Sequence, residues 1–367
     1  MMLETLRRLR AQLDWPVFIP LGLLVLIGLV NLYSATRVAP QGLFVQQLWW
    51  YAIGSVLFIA AAAVDYRILQ RHAWTLYIVL VLLLVFVLLG GKTVNGSRRW
   101  IGIGSFGGQP SELMKIGIIL ALARLFSGDP LDLELRPLRY ALLWHLVLGV
   151  PALLILKQPD LGTALICTLV AATMLVCVRL RPAVKAAVAA VDLSAAALVF
   201  LFGLKAYQKK RLLTFLNPAI DPTGAGWHAR QALFAIGSGQ WFGKGYLRGT
   251  QNQLQFLPEH WTDFPFAVWA EEWGLVGCLV LLLAYLLLLL WALSLSSEAR
   301  DRFARNLTLG CTALLFWHIV VNIAMVSGMI PVVGVTLPLI SYGGTSLLTV
   351  LITLGLLMNV SIRRYSY

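Results

Sequence analysis

Ten apolar runs of near bilayer-spanning length recur along this chain, at roughly 16–35, 47–65, 73–91, 109–127, 139–156, 160–179, 184–205, 265–293, 306–327 and 339–361. About 20 residues of helix cross a hydrocarbon core. This repeat constrains the fold more than any motif, because a backbone in lipid must satisfy its own hydrogen bonds, and only helices or closed barrels do so. No alternation of the barrel kind is visible. The expectation is an all-α polytopic membrane protein with ten transmembrane helices. Composition agrees: 59% of the 367 residues are hydrophobic and only 12% are charged, against roughly 25% charged in soluble domains. A soluble enzyme, a disordered scaffold and a disulfide-stapled secreted domain are excluded.

Short loops set the orientation. One side collects Arg7, Arg8, Arg10, Arg67, Arg71, Arg136, Arg139, Arg179, Arg181, Lys185, Arg300, Arg302, Arg305, Arg363 and Arg364. Cytoplasmic loops gather such residues, so both termini are expected inside. The first run has no A-x-A-like cleavage site after it and reads as an uncleaved anchor. The chain then forms one domain over 1–367, with a large extracytoplasmic loop at about 206–264 between helices 7 and 8. Cys167, Cys177, Cys278 and Cys311 lie in apolar runs without CxxC spacing, and read as small core residues rather than a disulfide or zinc framework. Five scattered histidines lack metal-site spacing.

Lys and Arg total 29 against 16 Asp and Glu, a net charge of +13, and part of that excess escapes the orientation rule. The stretch 92–110 carries Lys92, Arg98 and Arg99 with no acid. The long loop carries Lys209, Lys210, Arg211, Arg230, Lys244 and Arg248 against Asp221, Glu259 and Asp263. A solvated basic loop is the plain reading. An anion-binding vestibule is the functional one, since Arg grips phosphate bidentately and Lys serves as a point charge.

Several residues stand where chemistry is expected. Glu112 and Lys115 share a helix face at i,i+3 spacing, with the ammonium just inside the hydrocarbon, either as a structural pair or lining a cavity. In Lys157-Gln158-Pro159-Asp160, the carboxylate reads as a helix N-cap or as a second acid at the cavity mouth. Glycines 237, 239, 243, 245 and 249 permit a backbone nest for phosphate. Asp263, among Trp261, Phe264 and Phe266 at the threshold of a span, suits general-base work. Packing or pairing is expected of Glu271 and Glu272, core positions of His145 and His318, and no partner is visible for Asp192. The Pro/Gly-broken stretch from Gly328 to Pro338 runs into Ser341 and Thr345, and is expected to line a cavity.

The stretches NGSRRWIGIGSFGGQPSELMK, KQPDLGTA, GTQNQLQFLPEHWTDFPFAVWAEEWGLVG and GMIPVVGVTLPLISYGGTSLL, with others covering most of the chain, resemble the SEDS family (shape, elongation, division and sporulation), nearest its rod-elongation branch. The resemblance implies a peptidoglycan glycosyltransferase that polymerises lipid II into β-1,4 glycan in the bacterial cytoplasmic membrane, with its site outside. It maps the family's acid onto Asp263 and substrate contacts onto Arg98, Arg99, Trp100, Glu112 and Lys115. To these the reading of the residues adds Lys157, Gln158, Asp160, Lys244, Arg248, Ser341 and Thr345. Implied partners are lipid II, the nascent strand, a class B penicillin-binding transpeptidase of the PBP2 type and the elongation machinery; nucleic acid is not expected. A divalent cation, Mg or Mn, at the pyrophosphate is compatible with the reading, although no ligand cluster requires it. Trp261 stands where the family commonly has His, with His260 one place earlier, and Pro265 replaces a common Ile. The rival readings are a lipid II flippase and a scaffold for the transpeptidase.

Overall fold

The computed structural model describes residues 14–37, 42–94, 97–103, 106–217, 225–254, 256 and 260–364. Arg7, Arg8, Arg10, Asp221 and Glu259 lie outside them. The long helices are α1 (Phe18–Thr36), α2 (Leu43–Ala63), α3 (Tyr66–Gly90), α4 (Pro110–Leu125), α6 (Pro137–Lys157), α7 (Leu161–Cys177), α8 (Pro182–Leu198), α12 (Pro265–Glu298), α13 (Arg302–Val326) and α14 (Gly344–Arg363). Short helices are α5 (Pro130–Leu135), α9 (Ala206–Leu216), α10 (Ala225–Ser238) and α11 (Thr250–Gln253). Among the described residues, eight helical segments are long and apolar enough to cross a membrane. Helix α7 is apolar but has 17 residues, and α4 has 16 and carries Glu112, Lys115 and Arg124.

Local chemistry sets the helix starts. Asp65, Asp129, Asp160 and Asp301 accept hydrogen bonds from the first-turn amides of α3, α5, α7 and α13, satisfying donors that a helix leaves open. Proline occupies the first turn of α4, α6, α8 and α12, where its missing N–H costs nothing. Helix α4 is buried on nearly every side and is the centre of the bundle, contacting α3, α6, α7, α13 and α14. Helices α2, α3 and α8 expose most of their apolar surface, as lipid-facing helices do.

Two features depart from a plain helical bundle. Three strands, β1 (Lys92–Val94), β2 (Ser97–Ile103) and β3 (Phe106–Gly108), pair into an antiparallel sheet, with Thr93 opposite Arg98 and Gly102 opposite Gly107. The segment expected as a loop at 206–264 contains α9, α10 and α11, and α10 packs on α12.

Candidate functional site

Residues 327–343, between α13 and α14, form a non-helical strap that enters the bundle, with Val335, Leu337 and Leu339 buried. Water is scarce there, so each carbonyl needs an internal donor. Asn322 supplies Val335, His318 supplies Thr336, Tyr285 supplies Pro338, Tyr51 supplies Leu339 and Gln47 supplies Ser341. Gly28 lets α1 approach, since a Cβ there would overlap the Leu339 carbonyl.

This strap carries the turn that holds Asp263. Tyr342 N–H donates to the Trp261 carbonyl at 2.7 Å, and the Asn322 amide donates to the Asp263 carbonyl at 3.1 Å. The Asn31 amide donates to the Pro265 carbonyl, and buried His260 places Nε2 2.8 Å from the Ala35 carbonyl oxygen. The partly exposed carboxylate of Asp263 stands beside Gly334, where a Cβ would lie 3.4 Å from Oδ2. The turn is pinned by its backbone to α1, α13 and the strap.

A second polar group meets the same end of the bundle. Asp160 caps α7 through Thr163 and also accepts from Gln109 at 2.6 Å, with Arg99 at 3.8 Å. Gln109 N–H in turn donates to Thr345 Oγ1 at 3.1 Å, at the head of α14. Asp160 is therefore both N-cap and acidic anchor for a rim guanidinium. Arg98 is exposed on β2, and Trp100 lies over Gly107. Lys157, at the end of α6, and Arg248 are exposed.

Below this, Lys115 is 2% exposed and its Nζ lies 2.6 Å from Glu112 Oε1 and 3.1 Å from His318 Nε2. The pair expected at i,i+3 is present, but it faces a protein-lined core with a histidine as third member. Lys115, expected to touch substrate, is here held in that core by Glu112 and His318.

Other expected substrate contacts are committed elsewhere. Segment 240–245 plugs a break in α12 at Gly274, whose φ of 63° suits glycine. Leu275 and Val276 N–H donate to the Gln240 and Trp241 carbonyls, while Lys244 and Gly245 N–H donate to the Glu271 and Glu272 carbonyls. Gly239 and Gly243 are small because a Cβ would overlap α12 carbonyls. An anion does sit beside this segment, but it is the protein's own, and the amides that meet it belong to Thr250 and Gln251. Glu271, 0% exposed, accepts from Lys244 Nζ at 2.6 Å, Thr250 N–H at 2.8 Å, Thr250 Oγ1 at 3.0 Å and Gln251 N–H at 3.2 Å. Lys244, expected to touch substrate, is here the ion-pair partner of Glu271. Ser341 Oγ accepts from Leu337 N–H, and the Gln158 amide donates to the Leu84 carbonyl. Both shape the strap and the bundle rather than a ligand surface. Asp192, for which the sequence offered no partner, lies 3.4 Å from His145 Nε2. All four cysteines are free, three buried and Cys177 exposed. Among the described residues no three His, Cys, Asp or Glu side chains cluster as a metal site.

His318 and Asn322 escaped the sequence reading as site residues. Their signal was available: two polar side chains four apart in an apolar run share one helix face, and polar groups in a span need partners.

Fold and site together define a multi-span helical membrane protein with a strap-held carboxylate and a guanidinium rim at one end, above a buried ionic core. The chain belongs to the FtsW/RodA/SpoVE family, whose profile, described as "Cell cycle protein", matches residues 13–366. It is 38% identical over 350 residues to the peptidoglycan glycosyltransferase MrdB of Escherichia coli K12, covering 94% of each chain. It is 34% identical to the peptidoglycan glycosyltransferase RodA of Treponema pallidum, covering 97% of this chain and all of that one. Among solved structures, the Thermus thermophilus rod shape determining protein RodA superposes with a TM-score of 0.72 at 31% identity, covering 97% of this chain and 98% of that one. A chain from a peptidoglycan synthase complex, solved for its coordination of polymerization and crosslinking, gives 0.80 at 33% identity, covering 97% and 99%.

Proposed function

We propose that this chain is a peptidoglycan glycosyltransferase of the bacterial cytoplasmic membrane, polymerising lipid II into β-1,4 glycan strands during cell elongation. In this reading the ten long helices all span the membrane, both termini are cytoplasmic and the Asp263 end faces outward. The observation that carries the residue assignment is the placement of Asp263: a partly exposed acid whose backbone is locked on three sides, at the end of the bundle where Arg98 and Arg99 lie.

The mechanism follows from that placement. Asp263 takes the proton from the acceptor sugar's 4-hydroxyl as its oxygen bonds to the donor's anomeric carbon. The bond from that carbon to the diphosphate breaks, and undecaprenyl pyrophosphate leaves with the electron pair. One displacement inverts the anomeric centre. Charge developing on the leaving group is met by Arg98, Arg99, Lys157 and Arg248, where preformed cations act most strongly. Trp100 offers a face for a sugar ring. An apolar groove of about 370 Å³ lined by Leu23, Ile27, Phe242, Trp269, Trp273 and Val276 offers a seat for an isoprenoid chain. A class B penicillin-binding transpeptidase is the proposed partner, crosslinking the strands made here. A divalent cation would enter with the pyrophosphate and balance its charge.

The broken α12 and the strap also suit a lipid II transporter, because discontinuous helices mark substrate paths. One experiment separates the two. Purified protein in detergent, which has no compartments, is given lipid II and its products are resolved on a gel. Glycan polymer supports the transferase; unchanged lipid II from folded protein, also in the presence of the transpeptidase, contradicts it.

A further inference from the structure

His318 lies within α13 at 4% exposure with both ring nitrogens engaged. Nε2 is 3.1 Å from Lys115 Nζ, and Nδ1 is 3.1 Å from the Thr336 carbonyl oxygen. An ammonium only donates and a carbonyl only accepts, so the ring must accept at Nε2 and donate from Nδ1. That makes it the neutral tautomer protonated on Nδ1. Four residues on, Asn322 donates to the Val335 carbonyl at 2.6 Å and to the Asp263 carbonyl at 3.1 Å. Two successive strap residues thus hang from two successive turns of α13. One of these turns is fastened to Lys115–Glu112, and the other to the Asp263 turn. The next strap residue back, Gly334, stands against the Asp263 carboxylate.

The displacement proposed above gives the Glu112–Lys115 pair no direct task, yet burying two charges is costly unless their geometry is well satisfied. We propose that His318 is a positioning residue for Asp263. By tying the Lys115–Glu112 pair to Thr336 it sets the depth of the strap, and so fixes the wall beside the acid. This rests on the reading of Asp263 as the base. It adds that the acid's placement depends on an ion pair in the bundle core.

The test uses the full chain polymerising lipid II in detergent. His318→Phe keeps a ring and loses both hydrogen bonds. Its kcat per folded molecule falls about 10–100-fold while KM stays within about twofold, because a misplacement near 1 Å costs on the order of 10²-fold and an unchanged KM marks a loss confined to the transition state. His318→Gln, which keeps a donor and an acceptor, restores most of the rate. The double variant His318→Phe/Lys115→Met is no slower than the slower single, since residues acting as a unit are not additive. Should the Phe variant fail to fold, His318→Asn carries the test: it reaches Thr336 but not Lys115, and its rate falls to that of Lys115→Met. Wild-type kcat in folded His318→Phe or His318→Asn, losses that multiply in the double variant, or no recovery with Gln overturns the proposal. Full activity of Asp263→Asn instead overturns the base assignment on which it rests, so the two failures are distinguishable.

Discussion

Lys244→Met is expected to destabilise the protein and leave substrate affinity nearly unchanged. The Glu271 carboxylate is fully buried, and among the described residues it is met by the Lys244 ammonium at 2.6 Å, two backbone amides and the Thr250 hydroxyl. Removing one partner of a buried pair costs about 3–5 kcal/mol. The surviving neutral donors and the partial exposure of Lys244, 28% of its side chain, place this case near the lower end, about 3 kcal/mol. Glu271→Gln keeps the size and one acceptor and costs less, about 1–2 kcal/mol. The double variant Lys244→Met/Glu271→Leu is more stable than Lys244→Met alone, because the uncompensated charge is gone. Thermal unfolding of detergent-purified variants reads stability, and lipid II titration reads KM. A Lys244→Met protein of normal stability with a strongly raised KM would restore the phosphate-contact reading and refute the structural one.

Gly334→Ala adds a Cβ 3.4 Å from Asp263 Oδ2 at a φ of +74°. Left-handed backbone costs a non-glycine residue about 1–2 kcal/mol, so modest destabilisation with a larger loss of polymerisation is expected, checked by unfolding and gel assay together. Tyr285→Phe removes the donor to the Pro338 carbonyl at a site 1% exposed, which costs about 1–3 kcal/mol and is read by thermal unfolding. Arg99→Ala lifts a guanidinium from Asp160 at the rim. Raised KM with little change in stability is the expected result, since the guanidinium is one-third exposed, stands 3.8 Å away, and leaves the buried Asp160 carboxylate with Gln109 and Thr163 as donors.

The sequence made the lipid solvent and the helix inventory legible, because apolar runs of bilayer length have few alternatives. Boundaries were less so. Helix α3 begins at Tyr66 rather than near 73, as Arg67, Gln70, Arg71 and His72 hide a helical turn from a hydropathy reading while Asp65 caps it. Helix α14 begins at Gly344 rather than 339, because the segment before it is bound carbonyl by carbonyl into the bundle as strap. The Glu112–Lys115 pair could be read from spacing alone, but its burial against His318 could not, since that contact joins residues 203 apart. Glycine permits close approach of any backbone acceptor, and at Gly239 and Gly243 the acceptors are the carbonyls of a broken helix, which residue spacing alone does not distinguish from a phosphate. The sheet at 92–108 was missed because its strands are short and rich in Gly and Arg. Asp263 stood out as a candidate from its position at a span boundary among aromatic residues, and the structure adds the strap and Asn322 that hold its turn.

In the proposed mechanism the Asp263 carboxylate activates the acceptor hydroxyl. Asp263→Asn keeps the shape and removes the base, and a single-turnover measurement with saturating lipid II isolates the bond-forming step. Coupling is expected to slow by about 10²–10⁴-fold while lipid II binding and thermal stability are retained. A coupling rate within about tenfold of the parent, in a protein that binds normally, would contradict it.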